Sequence, residues 1–288
     1  MRSEKVLVSM KRFIGDAVMT TPMLNALQSH HPDITIICPG HVAQVLWHPD
    51  FERKFLPLDT KRKPWELVAK ALELRKQRFT LAVLVNHSFR SALTTKLAGI
   101  PKRVGHATEG RNWLLTSAVP YDENTFEAWS ELDLLKPLAI EPQRTTPVLP
   151  VTESERAKGE ELLKGAMIGI QPGARFASKM LTVEVLAEVA NQLSQKPAFF
   201  GASEEKDSAD KLQAAVSKDV TNLVGVTSIR ESLGALANLK AMIGADTGLM
   251  HMATAVGCPT VTIFGPTPAQ KWGHTYGSNQ VILAPEGD

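Results

Sequence analysis

No apolar run in the 288 residues approaches the roughly 18 that a membrane-spanning helix needs. Met1-Arg2-Ser3-Glu4-Lys5 leads into a strand-like stretch rather than the apolar region of a signal peptide, so a cytoplasmic protein is expected. Cysteine is nearly absent. Cys38 and Cys258 sit inside apolar stretches, Ile36-Ile37-Cys38 and Val256-Gly257-Cys258, which reads as two buried thiols and excludes a disulfide framework. Also missing are a G-x-G-x-x-G dinucleotide fingerprint, a Walker-type phosphate loop and any His/Cys/Asp grouping with metal-ligand spacing. Those absences argue against a nicotinamide dehydrogenase, a P-loop kinase and a metal centre. Sequence repeats and low-complexity tracts are absent too.

With 43% hydrophobic and 22% charged residues, the composition is that of an ordinary globular protein. The length exceeds the usual domain size of about 100–200 residues, so two domains with a cleft between them are expected. Charge is unevenly divided. Residues 1–150 hold 20 Lys/Arg against 15 Asp/Glu, whereas residues 151–288 hold 12 against 15. A basic N-terminal half suits a phosphorylated or membrane-surface partner, although solvated surfaces often differ by this much.

Short β-prone runs alternate with helical patterns: Val6–Met10, Ile34–Cys38, Phe55–Leu58 and Leu81–Val85 as strands, with helices after Gly15-Asp16 and over 43–47 and 65–74. Prolines cluster around Glu141-Pro142 and Pro147-Val148-Leu149-Pro150, which marks a linker and sets the domains at 1–150 and 151–288. Beyond it the alternation resumes, with strands predicted at 167–170, 198–200, 241–243 and 260–264 and helices at 183–193, 204–216 and 249–256. Two successive doubly wound α/β domains with parallel sheets follow. Ligands of such sheets collect beyond the carboxyl ends of the strands, so motifs at strand-to-helix turns matter most.

Three turns qualify. Gly15-Asp16 follows the first strand; aspartate there is a candidate catalytic residue and equally a preferred N-cap, and both readings stay open. Gln171-Pro172-Gly173 continuing to Lys179 is a candidate phosphate cradle, with Gly173 in the turn and Lys179 as its cation. Asp246-Thr247-Gly248 follows a strand and opens a helix, where free N–H groups and the positive end of the macrodipole attract anions. His251 lies one turn into that helix. The triplet Asp-Thr-Gly also occurs in aspartic proteases, but those need two copies on an all-β scaffold, and this chain has one copy entering a helix.

In this order and spacing, these segments resemble the glycosyltransferase family 9 heptosyltransferases. The likeness runs over nearly the whole chain. It comprises Val6-Leu7-Val8 with Ile14-Gly15-Asp16-Ala17-Val18-Met19-Thr20-Thr21-Pro22, then Pro172-Gly173-Ala174 with Lys179, Asn222-Leu223-Val224-Gly225, Asp246 through His251, and Phe264-Gly265-Pro266-Thr267. Asn86-His87-Ser88-Phe89-Arg90-Ser91, Arg103-Val104-Gly105-His106 and Glu109-Gly110-Arg111 are similar to the subtype that adds the second heptose.

The resemblance implies a GT-B fold, two facing Rossmann-like domains. It implies no cofactor, and a nucleotide-sugar donor, ADP-heptose, held as substrate by Gly173, Lys179, Asp246, Thr247, Gly248 and His251. A lipid A-core acceptor at the inner face of the inner membrane would meet Ser88, Arg90 and Arg111 in the N-terminal domain. Asp16 would act as general base in an inverting, metal-independent transfer. No nucleic-acid partner is expected, and no oligomeric state follows. A family 9 enzyme using another nucleotide sugar, or a non-catalytic nucleotide-sugar-binding protein, are the alternatives. Two departures from the family pattern bear on activity: Met180-Leu181 stand where an aromatic and a proline usually follow the lysine, and the chain ends soon after Ile282-Leu283-Ala284-Pro285, short of the usual C-terminal segment.

Overall fold

Successive residues of the first strand, β1 (Val6–Ser9), serve two apolar layers: Val6 and Val8 pack in one buried cluster, Leu7 in another. The same division holds in β4 (Leu81–Leu84), where Leu81 and Val83 face the first cluster and Ala82 and Leu84 the second. A strand buried on both faces must be apolar at every position, which is why these runs lack polar alternation. The computed structural model describes residues 4–58 and 63–284. Met1-Arg2-Ser3 and Pro285 lie outside them. Among the described residues, no helix is long and apolar enough to cross a membrane.

The chain divides into two compact units, Met1–Pro147 and Val148–Asp288. The first holds a six-stranded parallel sheet in the order β3-β2-β1-β4-β5-β6, with β2 at Ile34–Cys38, β3 at Arg53–Pro57, β5 at Lys102–His106 and β6 at Ser117–Val119. Helices α1 (Ile14–Met19), α2 (Thr21–His30), α3 (Gly40–Leu46), α4 (Pro64–Gln77), α5 (Phe89–Leu97) and α6 (Glu127–Leu132) accompany it. The sequence suggested one helix after Gly15; the structure divides it at Thr20, because Pro22 at the start of α2 has no N–H to give and its ring crowds the carbonyl four residues back.

The second unit repeats the architecture with the order β12-β11-β10-β7-β8-β9. Its strands are β7 (Ile168–Ile170), β8 (Pro197–Phe199), β9 (Thr221–Asn222), β10 (Ala241–Ala245), β11 (Thr260–Phe264) and β12 (Gln280–Leu283). Its helices are α7 (Glu153–Leu163), α8 (Val183–Gln192), α9 (Lys206–Ala215), α10 (Ile229–Leu236), α11 (Gly248–Ala255) and α12 (Ala269–Trp272). Capping boxes define two of these starts: Thr152 with Glu155 on α7, and Ser228 with Glu231 on α10. α7 and α10 meet at glycines. A Cβ on Gly159 would lie 2.1 Å from the Gly234 carbonyl carbon, and one on Gly234 would lie 2.0 Å from the Glu155 oxygen.

Each strand order reverses once beside its first strand, between β1 and β4 in one sheet and between β7 and β10 in the other. Adjacent loops diverge at such a switch point and leave a crevice for ligands. Lys11 and Asp16 follow β1, Asn86 and Ser88 follow β4, Gln171 follows β7, and Asp246 follows β10. Both sets of sequence motifs therefore stand at switch points.

Candidate active site

In the C-terminal unit, Thr247 takes the N-cap position of α11 with extended backbone, φ −143° and ψ 167°, but its side chain makes no capping bond. The hydroxyl donates instead to Gln171 Oε1 at 2.7 Å, tying the loop after β10 to the loop after β7. The first-turn N–H groups of α11 are thus left without a side-chain cap, at the positive end of the helix. Gly173 borders the same turn, and its missing side chain makes room for Glu205, whose Cγ would lie 3.1 Å from a Cβ there. Burial raises the Glu205 carboxyl above its ordinary range, while the Ala202 N–H and Gln171 donate to it and oppose that shift.

Asp246 is buried, and the structure gives Lys179 a partner the sequence did not reveal. Lys179, at the end of a 3₁₀ turn over Ala177–Lys179, brings Nζ within 2.6 Å of Asp246 Oδ2 and 3.2 Å of its carbonyl oxygen. On the other side His251 Nε2 lies 3.4 Å from Asp246 Oδ1. Burial alone would raise this carboxyl, but His251 and Lys179 outweigh it and hold the pKa down at about 2. Lys179 therefore first neutralises Asp246, and any diphosphate must share it.

The polar chain continues inward. His251 Nδ1 is 2.7 Å from His274 Nε2, and His274 Nδ1 is 2.6 Å from the Tyr276 hydroxyl. Burial, then the charge of His251, pushes the His274 pKa down to about 2, so its imidazole is neutral near pH 7. The three contacts form one continuous chain from Tyr276 through His274 and His251 to Asp246. His251, an uncertain contact by sequence, is fixed in orientation by residues no local motif would have flagged.

In the N-terminal unit, Phe13 and not Asp16 occupies the N-cap of α1; Asp16 stands inside the first turn. Asp16 is therefore not the N-cap itself, but it stands in the first turn as its acidic residue. Its carboxylate lies 3.8 Å from Lys11 Nζ, which also pairs with Glu127 and, at 2.7 Å, with Glu131, both fully buried on α6. Burial works against the lysine charge, but the three carboxylates outweigh it and raise its pKa above the ordinary value. Tyr121 donates to Glu127 at 2.8 Å. His87 packs edge-on against His106 and against the Tyr121 ring, and His106 lies tilted against the same tyrosine. Burial and the nearby cations depress His87 to about 3. This polar cluster draws on the ends of β1, β4, β5 and β6 and on α6; Asp16, His87 and His106 lie in segments that carry the family resemblance, whereas Lys11, Tyr121, Glu127 and Glu131 carried no local signal.

A cavity of about 140 Å³ opens at the carboxyl ends of β1 and β4, lined by Lys11, Arg12, Lys70, Asn86, Ser88 and Arg90 among others. Ser88 is the N-cap of α5, and Arg90 Nη2 donates to the Lys63 carbonyl at 3.1 Å. Arg111, expected on the acceptor side, is 0% exposed, and its guanidinium donates to the carbonyl oxygens of His106, Asn86 and Ser88, so it braces the two residues, Asn86 and Ser88, that line the cavity. The resemblance gave Glu109-Gly110-Arg111 as part of the acceptor side; the loop folds its arginine inward onto backbone carbonyls.

The structure agrees with what similar proteins show. The family description "Glycosyltransferase family 9 (heptosyltransferase)" matches residues 68–287. Lipopolysaccharide heptosyltransferase 2 of Escherichia coli (strain K12) is 27% identical, over 91% of this chain and 83% of that one. Among solved structures, the E. coli ADP-heptose LPS heptosyltransferase II superposes with a TM-score of 0.84 and 26% identity, covering 96% of this chain and 90% of that one. A family 9 glycosyltransferase from Veillonella parvula DSM 2008 superposes with a TM-score of 0.86 over 99% of this chain and 87% of that one; at 19% identity it supports the fold alone. The two parallel α/β sheets are those of a GT-B enzyme. With most of its length matched by the family description, this chain belongs to glycosyltransferase family 9 and is a glycosyltransferase.

Proposed function

We propose that this glycosyltransferase moves heptose from ADP-heptose to the inner core of lipopolysaccharide, with inversion and without a metal ion at the diphosphate. The observation that carries the donor half is the uncapped start of α11 at the β7/β10 switch point, flanked by Gly173 and Lys179. Backbone N–H groups at Thr247 and Gly248, the helix dipole and a share of Lys179 meet the charge of the leaving diphosphate. Asp246 and His251 hold Lys179 and the turn in place. The names of the relatives, ADP-heptose LPS heptosyltransferase II above all, support the choice of donor and acceptor.

The N-terminal unit supplies the acceptor half. Asp16 takes the proton of the acceptor hydroxyl; the freed oxygen bonds to the anomeric carbon from the face opposite the diphosphate as the bond to the diphosphate oxygen breaks. The proton rests on Asp16 and the negative charge leaves with ADP. Ser88 and Arg90, with Arg12 and Lys70 in the same cavity, suit an acceptor bearing phosphate groups. At the inner face of the inner membrane, the basic N-terminal half would meet an anionic surface.

Purified protein given ADP-heptose and a deep-rough lipopolysaccharide acceptor is expected to release ADP and extend the acceptor by one heptose, read by mass spectrometry, and to do so in the presence of chelator. Transfer from a different nucleotide sugar, with ADP-heptose inert, would replace the donor assignment. Donor binding with no transfer to any acceptor would favour a binding protein.

A further inference from the structure

We propose that His87, His106 and Glu131 form a binding site for a divalent transition-metal ion in the N-terminal unit. Each residue offers a ligand atom, and these atoms lie within 4.8 Å of one another. His106 Nε2 is 3.7 Å from Glu131 Oε2. Metal–nitrogen and metal–oxygen bonds of about 2.0–2.2 Å at tetrahedral angles put ligand atoms roughly 3.4 Å apart, so the group needs little closure to receive an ion.

Burial and the state of these atoms give the second argument. His106 and Glu131 are 0% exposed. His87 Nε2, both His106 ring nitrogens and Glu131 Oε2 are buried and have no hydrogen-bond partner. Buried polar atoms in native proteins are overwhelmingly partnered, and several orphans converging on one point indicate a ligand common to all of them. Two imidazoles and one carboxylate select a transition metal such as zinc, cobalt or iron over magnesium or calcium, which prefer all-oxygen shells.

The surrounding residues are compatible with an added positive charge. Lys11 stands on the other oxygen of Glu131, Oε1, and is shared with Asp16 and Glu127, so one ammonium faces three carboxylates. Glu131 can therefore bridge: Oε1 to the lysine and Oε2 to the ion. The ligands come from the loop after β4, the end of β5 and α6, which fixes them on three separate parts of the framework. None belongs to the diphosphate loops, and Lys11 links Glu131 to Asp16.

The test is a Co²⁺ titration of the full-length chelator-treated protein, followed by visible d–d absorption. One equivalent is expected to bind, with Mg²⁺ failing to displace it. His106→Ala and Glu131→Gln should each weaken binding by more than the roughly 10- to 100-fold typical of changes around a metal's ligands. X-ray absorption of the zinc-loaded wild-type protein provides a measurement free of any folding defect in the variants; it should show two imidazoles in the metal shell, and zinc should raise the melting temperature. No binding by the wild-type chain, equal binding by folded variants, or a shell with sulfur or without imidazole would each overturn the proposal.

Discussion

Asp16 and His274 show how backbone position and burial decide what a titratable side chain does. Phe13 holds the N-cap of α1, and the Asp16 carboxylate, in the first turn, lies beside Lys11 in a partly open setting. Asp16→Asn keeps the shape and removes the base. It is expected to lower kcat by about 10²–10⁴-fold while leaving donor affinity unchanged, checked by steady-state rates and calorimetric titration with ADP. Unchanged turnover would remove Asp16 from the chemistry. His274 makes a stability prediction. Its folded pKa of about 2 lies far below the ordinary imidazole value of 6.5, so below about pH 6.5 the unfolded chain takes up a proton that the native chain refuses. Stability should therefore fall on acidification from pH 7 to pH 5, by about 1.4 kcal/mol per pH unit below 6.5 from this residue. Asp246, with its depressed pKa, acts in the same direction in a lower pH window: its stabilisation is intact above about pH 4 and is lost only as the pH falls toward 2. Urea unfolding across that range should show a shallower slope for His274→Gln; an identical slope would mean that His274 is not the group responsible.

At the scale of elements, close helix contact depends on where side chains are missing. Gly234→Ala would drive a Cβ into the Glu155 carbonyl, which belongs to backbone and cannot rotate away. The α7–α10 pair should be destabilised by at least about 1–3 kcal/mol. Gly40, the first residue of α3, meets nothing within 4 Å of a built Cβ, and Gly40→Ala should be neutral or stabilising by up to about 1 kcal/mol. Thermal melts of the two variants form the comparison, and equal melting temperatures would show that the helices can separate without penalty. Sequence periodicity located the strongly apolar elements, such as β1, β2, β4 and α8, because continuous burial writes continuous hydrophobicity. It did not reveal β5, which begins with Lys102 and Arg103, or the two-residue β9, because pairing with a neighbouring strand and not side-chain pattern makes them strands.

For the molecule as a whole, the uneven charge gains meaning from the surface of α4. Trp65, Val68 and Leu72 recur at helical spacing and are 64%, 51% and 51% exposed, with the Lys63 ammonium over the Trp65 ring at 5.2 Å. Aromatic and aliphatic groups beside lysines suit the interface of an anionic bilayer. The protein should cosediment with vesicles containing anionic lipid and be released by salt. Trp65→Ser combined with Leu72→Ser should reduce binding several-fold without changing transfer to a soluble acceptor. Binding that ignores both salt and these substitutions would place the membrane surface elsewhere.

The sequence by itself determined the alternation of strand and helix, the parallel sheets and the three turns at which ligands collect, since each is written in contiguous residues: apolar runs, a glycine, an aspartate entering a helix. Only the tertiary structure decided what those residues touch. It gave Lys179 to Asp246, turned Arg111 inward, lined up His251, His274 and Tyr276, and gathered His87, His106 and Glu131 from three elements. Such partnerships depend on strand order, and no local pattern encodes which distant carbonyl, carboxylate or imidazole the folded sheet will bring within reach.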